Sequence, residues 1–546
     1  MRLTDGVIVV GSGASATAAA FPLVRAGIPV LMLDVGNVDD HYAAVIPEKS
    51  FTELRGSDPG QHRYFLGDDF EGVPFGQVRV GAQLTPPRRF IQRDAERLTP
   101  MNTSTFAGVE SLAKGGLGAG WGAVAVQFDD HDLRDFPIRL RDLAPYYESV
   151  AARIGVSGAA DDLHERYGNC SCLQPPLELD SLGASILDRY EKRRAAMNQM
   201  GVYLGRARLA ALSRDLGVRR AQSYHDMDFY SDREQSVFRP AFAVDELRQF
   251  PHFVYAKPYL VERFCETDGG QGIEVAALHT ESGRRETFKA RRLVIAAGTL
   301  GTARIVLRSL ERYDTPVPIV SNPYTYVPCI HLPMLGKAVK DRRHSLTQFG
   351  VILEPGPRSA RRVHAQAYSY RSLLLFKIVK EAPLPVAEGF HVMRELMNSF
   401  VILGIHHEDR PAVTKRCVLR KAKDGGPDRL EVSYKNPQDV EREQASAEKV
   451  LLKAFRKLGC WPLKRIHPGN GASIHYGGTV PMTSEDRELT TTPECQLRGT
   501  STVFLADGSV LPYLPAKALT LTLMANAERV GVRVSRELAW KEGQRS

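Results

Sequence analysis

The chain has 546 residues, 43% of them hydrophobic and 25% charged, which is more than one simple domain needs and excludes a disordered chain. The formal charge of +9 is small for this length, and Lys and Arg are interspersed with Asp and Glu. No basic run is long enough to track a nucleic-acid backbone, so no nucleic-acid partner is expected.

Met1–Asp5 lead straight into the apolar run Gly6–Val10, which reads as part of the fold, so no signal peptide is expected. No stretch reaches the length of a membrane span. Seven cysteines are scattered, no CxxC occurs, and the close pair Cys170-Ser-Cys172 lacks a second pair at zinc spacing. They read as loop thiols in a reducing, cytoplasmic setting, and no metal is expected.

Gly6–Val10 reads as a strand buried on both faces. A Gly-rich turn and an Ala-rich helix follow, ending near Arg25 with Gly27 as its cap. Pro22 should kink that helix or fray its second half. Pro29–Asp34 reads as a second buried strand, completing a βαβ opening. Residues 41–110 have weak periodicity and many Gly, Pro and Arg, as in a lid. Residues 160–220 read as helical, around Leu182–Gln199. Phe253–Leu260, Ile273–Leu278 and Phe288–Ala297 read as three strands, with turns at Asp268-Gly269-Gly270 and Ser282-Gly283. Between 320 and 435, apolar runs such as Ser372–Val379 and Phe400–Ile405 alternate with charged turns, which fits a second domain built on an antiparallel sheet. Glu441–Leu458 is an amphipathic helix. The end of the chain returns to strand (Thr502–Leu505), turn and helix (Thr520–Arg529).

The first chemical signal is Gly11-x-Gly13-x-x-Ala16. Gly11 permits the tight turn, Gly13 a close pyrophosphate, and Ala16 close packing of helix on strand. The free N–H groups and positive dipole of the helix start face the phosphates. Asp34 ends the next strand, where a carboxylate accepts ribose hydroxyls. This points to a dinucleotide without separating FAD from NAD. Gly115–Gly122 carries too many glycines for a helix or strand and suits backbone passing along a flat ligand. Glu110–Lys114 before it does not read as a parallel strand, so it is not a second fingerprint. Without that fingerprint or a redox Cys pair, a pyridine-nucleotide disulfide reductase is excluded.

Four segments together resemble the glucose–methanol–choline (GMC) oxidoreductases, FAD enzymes that oxidise alcohols, sugars and sterols. They are Gly11–Gly36, Gly115–Gly122, Val294–Ala303, and the C-terminal pair His475-Tyr-Gly-Gly-Thr479 and Asp507-Gly-Ser-Val510, the last followed by Thr520–Ala527. The resemblance implies an α/β (α+β mixed) fold: a Rossmann-like FAD-binding domain with a substrate domain built on an antiparallel sheet. The first would comprise 1–40, 105–160, 218–319 and 459–546, and the second, with its lid, 41–104, 161–217 and 320–458. It implies FAD contacts from Gly11, Ser12, Gly13, Ala14, Ser15, Ala16, Asp34, Gly115, Gly116, Trp121, Gly122, Ala123, Val261, Ala297, Gly298, Asp507 and Gly508. Gly115–Phe128 contains no His or Cys, so the covalent flavin link some relatives make there is not expected and the FAD is expected to be non-covalent.

The implied activity is oxidation of a CH–OH group by hydride transfer to flavin N5, on a small-molecule substrate and with the electron acceptor left open. The resemblance makes His475 the base, since it heads the H-x-x-G-T motif. The family usually carries Asn or His as a second partner to the substrate hydroxyl shortly before the Thr-x-Thr helix. That position is Ala518, and its polar neighbour Lys517 is one residue out of register. Either the substrate needs one polar anchor, or another residue of the substrate domain substitutes, or the chemistry is altered. The last would suit a flavin-dependent lyase, decarboxylase or other non-oxidase on the same fold.

Overall fold

The computed structural model describes residues 6–69, 86–228, 231–267, 269–338, 341–356, 361–369, 385, 388–389, 392, 395–423 and 425–543. The expected strand Ser372–Val379, Asp268 of the first turn, and part of the expected lid lie outside these residues.

In chain order, the elements that position the site begin with β1 (Val7–Val10), α1 (Ala14–Arg25), β2 (Val30–Leu33), α2 (Leu140–Ile154), α3 (Ser181–Asn198) and β3 (Val202–Arg206). Next are β4 (Phe253–Ala256), β5 (Tyr259–Thr267), β6 (Gly272–His279), β7 (Arg285–Ala290), β8 (Arg292–Ile295) and α4 (Thr299–Ser309). The rest are β9 (Tyr324–His331), β10 (Phe349–Leu353), β11 (Val363–Ser369), β12 (Phe400–His407), α5 (Gln438–Lys457), β13 (Cys460–Pro462), β14 (Val503–Leu505) and α6 (Thr520–Gly543).

One sheet is wholly parallel, in the order β14-β8-β1-β2-β4. Strands β1, β2, β8 and β14 have no exposed residue, as continuous apolar runs between helices require. Helices α1 and α6 cross closely: a Cβ on Gly531 would meet the Ala19 carbonyl and come within 2.6 Å of Pro22 Cγ. Pro22 does not split α1, which runs unbroken to Arg25. Lying in the last turn, it removes an N–H where the helix is about to end, and its ring packs on Gly531.

A second sheet is wholly antiparallel, in the order β13-β9-β12-β11-β10-β3. Its outer face packs on α3 and α5 in a separate apolar cluster. The mixed α/β fold with parallel and antiparallel sheets is therefore as the sequence implies. Three readings change. Phe253–Leu260 is two strands: β4 stays in the parallel sheet, and after Pro258, which has no N–H to donate, β5 pairs with β6. Phe288–Ala297 is likewise divided at Arg291 between β7, antiparallel to β6, and β8 in the parallel sheet. The stretch 160–220 is not only helical, since β3 forms an edge of the antiparallel sheet.

Candidate active site

A cavity of about 1690 Å³ runs between the two sheets. It exceeds the roughly 300–1,000 Å³ of an ordinary small-molecule pocket, enough for a large cofactor together with a second molecule. At one end the β1–α1 turn contributes Gly11, Ser12, Gly13, Ala14 and Ser15. Gly11 has φ +91°, and a Cβ there would lie 2.7 Å from the Ala296 carbonyl oxygen, so only glycine fits. No side chain caps the start of α1, and its free N–H groups face the cavity wall. Ala16 is fully buried between helix and sheet and does not line the cavity.

Asp34 lines the same end. Its Oδ2 accepts from Ser12 Oγ and, at 2.8 Å, from Tyr255 OH, leaving Oδ1 without a side-chain donor among the described residues. Burial raises the carboxyl to about 6 against the lowering effect of these two hydroxyls. Ser12 Oγ also accepts Gly115 N–H at 2.9 Å, tying the second Gly-rich segment to the first. Gly115 itself supports the wall from behind, as does fully buried Ala123. Gly116, Trp121, Gly122 and Val261 line the cavity, and Trp121 is held by its Nε1–H on the Phe238 carbonyl at 2.7 Å. Ala297, Gly298, Asp507 and Gly508 line it further along. Asp507 accepts Thr302 Oγ1 at 2.5 Å and Ser509 N–H at 2.9 Å. A Cβ on Gly508 would lie 2.5 Å from the Tyr476 carbonyl oxygen, so this glycine lets the turn press against the strand that follows His475.

His475 lines the cavity, and so does Ala518. The strand pairing Val320↔Gly477 and Ser321↔Tyr476 sets Asn322 opposite His475. Asn322 Nδ2 donates to the carbonyls of His407 at 2.8 Å and Pro515 at 2.9 Å, which fixes the amide. Its Oδ1 therefore faces His475 Nδ1 at 3.0 Å, and Nδ1 must carry the proton. Nε2 is left as the lone-pair nitrogen, with no side-chain or backbone partner among the described residues. Burial pushes the imidazole down to about 4, so it is neutral over ordinary pH.

Lys517 turns away from the cavity. It is fully buried, with Nζ 2.6 Å from Asp132 Oδ2 and 3.1 Å from Asp129 Oδ2. It cannot stand in for the polar partner that Ala518 lacks.

The opposite wall is the inner face of the antiparallel sheet. Tyr324, Tyr326 and Pro328 on β9, Ile402 and His406 on β12, and Gln366 and Tyr368 on β11 all reach the cavity. Across the strands Tyr324 and His364 flank His406, and Tyr326 and Gln366 flank Gly404. A Cβ on Gly404 would collide with Tyr324 OH, so glycine makes room for that ring. Sequence reasoning missed Asn322 and this whole wall. The signal present was period-2 spacing, Tyr324-x-Tyr326 and His364-x-Gln366-x-Tyr368, polar or aromatic on one face and apolar on the other.

Residues 434–527 match the family model described as GMC oxidoreductase. Over nearly its full length the chain is similar to paromamine 6'-oxidase of Streptomyces fradiae, with 24% identity covering 97% of this chain and 91% of that one. It is also similar to 6'''-hydroxyparomomycin C oxidase of Streptomyces lividus, with 23% identity covering 98% and 92%. In fold it is similar to a formate oxidase of Aspergillus oryzae solved to follow the effect of a mutation on FAD modification, with a TM-score of 0.58 and 11% identity over 98% of this chain and 99% of that one. No helix among the described residues is long and apolar enough to cross a membrane.

Proposed function

We propose that this chain, a glucose–methanol–choline oxidoreductase by its residues 434–527, binds FAD non-covalently and oxidises a CH–OH group of an alcohol or sugar. The observation that carries the reading is a neutral imidazole, His475, whose lone-pair nitrogen is set by Asn322 inside a cavity that begins at a dinucleotide cradle. The names of the two relatives, both oxidases of hydroxyl-bearing small molecules, support the same reaction class.

The residues fit the cofactor. The uncapped start of α1 and the Gly11–Gly13 turn would hold the pyrophosphate, and the carboxylate of Asp34 would take ribose hydroxyls. Gly116, Trp121, Gly122, Ala297, Gly298, Asp507 and Gly508 would follow the rest of its length, with Ala16, Gly115 and Ala123 supporting from behind. The second Gly-rich segment offers no His or Cys for a covalent bond. Bound flavin supplies an acceptor for the hydride that leaves the carbinol carbon. The chain supplies the rest: His475 Nε2 accepts the hydroxyl proton, and Asn322 Oδ1 holds the Nδ1–H of the imidazolium that results. Asn322 is thus a positioning residue.

Anaerobic mixing of the purified protein with a panel of alcohols and sugars tests the reading. Bleaching of the flavin absorption supports it. A flavin that no hydroxyl compound reduces overturns it in favour of a non-oxidase on this fold.

Asp34→Ala should weaken FAD retention by roughly 1.5–3 kcal/mol, or about 10- to 150-fold in Kd, the range of hydrogen bonds to a charged group. Fluorescence titration of the apoprotein reads it, and an unchanged Kd removes Asp34 from the site. Asn322→Ala should slow flavin reduction about 10-fold or more at unchanged FAD content, because the imidazole loses the bond that selects its tautomer. Imidazole ¹⁵N shifts of the parent protein should show His475 protonated at Nδ1. Protonation at Nε2 contradicts the assigned role.

A further inference from the structure

The methyl of Ala518 leaves the reacting hydroxyl with His475 alone on the C-terminal side of the site. The antiparallel sheet offers a second imidazole. The ring of His406 lies parallel to that of His475, with centroids 5.0 Å apart and planes 18° apart, and His364 continues the row at 6.5 Å from His406. His406 lines the cavity. Its Nδ1 is buried with no hydrogen-bond partner, and Nε2 has no protein partner among the described residues. Buried N–H groups without an acceptor are rare, and an unpaired lone pair is the more tolerable orphan. The proton of neutral His406 therefore belongs on Nε2, the nitrogen left to the cavity. Burial and the neighbouring imidazoles hold this histidine well below its ordinary pKa, in keeping with that neutral form.

Several polar groups on and around this wall are engaged, and the hydroxyls of Tyr324 and Tyr326 bond each other. Tyr368 OH donates to Gln366 Oε1 at 2.5 Å. Ser473 Oγ is spent on the His475 N–H and on Ser321 Oγ, both at 3.3 Å. His467 Nδ1 is bound to Thr325 Oγ1 at 3.0 Å. The two imidazoles also have complementary roles: Asn322 makes His475 an acceptor at Nε2, and the orphaned Nδ1 makes His406 a donor at Nε2.

We propose that His406 is a catalytic residue, the second hydrogen-bonding partner of the reacting hydroxyl, donating from Nε2 to its oxygen while His475 Nε2 accepts its proton. The inference rests on the alcohol-oxidation reading above. It explains how the site dispenses with Asn or His at position 518: the second partner has moved from the C-terminal segment to β12 of the opposite wall. Two hydrogen bonds fix the hydroxyl, and hence the carbon, where one leaves it free to turn.

The test uses the FAD-bound protein. His406→Phe keeps the stacked ring and removes both nitrogens. Flavin reduction by a substrate of the parent protein should slow about 10-fold or more, the worth of one hydrogen bond used in the transition state, with FAD content unchanged. Ala518→Asn added to His406→Phe should recover most of that loss by restoring a partner from the other side. In the parent background the same Asn should gain little. A His406→Phe protein that reduces its flavin at the parent rate overturns the proposal. So does a loss that Ala518→Asn leaves uncorrected, since that marks a packing role. Imidazole ¹⁵N shifts give a readout independent of turnover: His406 should carry its proton on Nε2, and a proton on Nδ1 overturns the proposal whatever the substrate. A parent protein whose flavin no alcohol reduces would instead count against the oxidation reading, with the tautomer still deciding the donor assignment.

Discussion

Replacing His475 by Ala is expected to slow flavin reduction by about 10²- to 10⁴-fold, the usual contribution of a positioned general base, and to leave FAD content unchanged. The side chain belongs neither to the Gly11–Gly13 turn nor to the strand end that carries Asp34, so cofactor retention should not depend on it. Stopped-flow reduction with a common substrate reads the loss, and a retained rate places the base elsewhere. The pH profile sharpens the test. An ordinary imidazole would give an acid limb near 6.5, but burial lowers His475 to about 4 and moves the limb there. The rate should stay flat as pH falls from 7 to about 5 and then drop, and the Ala variant should lack that drop. An acid limb at 6.5 in the parent protein would mean that another group titrates.

The buried histidines of the site each cost stability on acidification. His364 is lowered to about 3, His475 to about 4, and His406 well below 6.5, each chiefly by burial. Between 6.5 and these values the unfolded chain binds protons that the folded chain refuses. Stability is then full above 6.5 and falls with pH by about 1.4 kcal/mol per unit for each histidine. Asp34 and Asp226, raised from 3.8 to about 6 and about 8, have the opposite sign and offset two of the three as pH falls across that window. Rates below pH 5 therefore belong to brief pH-jump mixing.

Lys517→Met should destabilise the fold by about 3–5 kcal/mol, the cost of stranding one side of a buried ion pair. Lys517 shares Asp129 and Asp132 with Arg362, which lies 2.6 Å from the first and 3.1 Å from the second. Burial pushes the Asp129 carboxyl up, and Lys517 and Arg362 outweigh it, holding the group well below the ordinary range. Without the ammonium, Asp132 at 1% exposure keeps Arg362 as its cationic partner and the Asp129 N–H. The network fixes the turn before α6 and so the direction of Ala518, and flavin reduction should fall along with the melting temperature. An unchanged melting temperature would show that the pair contributes nothing net.

The sequence by itself determined the βαβ opening of the parallel sheet and the glycine turn at one end of the cavity. Val7–Val10, Gly11–Ala16 and Val30–Asp34 are local signals: an apolar run, a glycine where φ is positive, and a carboxylate at a strand end, each acting within about thirty residues. His475 was legible only through its resemblance motif, because a lone histidine has no local signature. Tertiary structure decided the rest. Pro258 and Arg291 end strands that hydropathy reads as continuous, since apolar character does not say which sheet a segment joins. The tautomer of His475 depends on Asn322, 153 residues away, and on carbonyls of His407 and Pro515. His406 faces His475 only because β12 pairs in one register with β9 and β11, and a shift by one residue would turn it to the other side of the sheet. The glycine turn is encoded over a few residues of chain, whereas the meeting of Asn322, His406 and His475 is set by strand pairing between segments that share no local pattern.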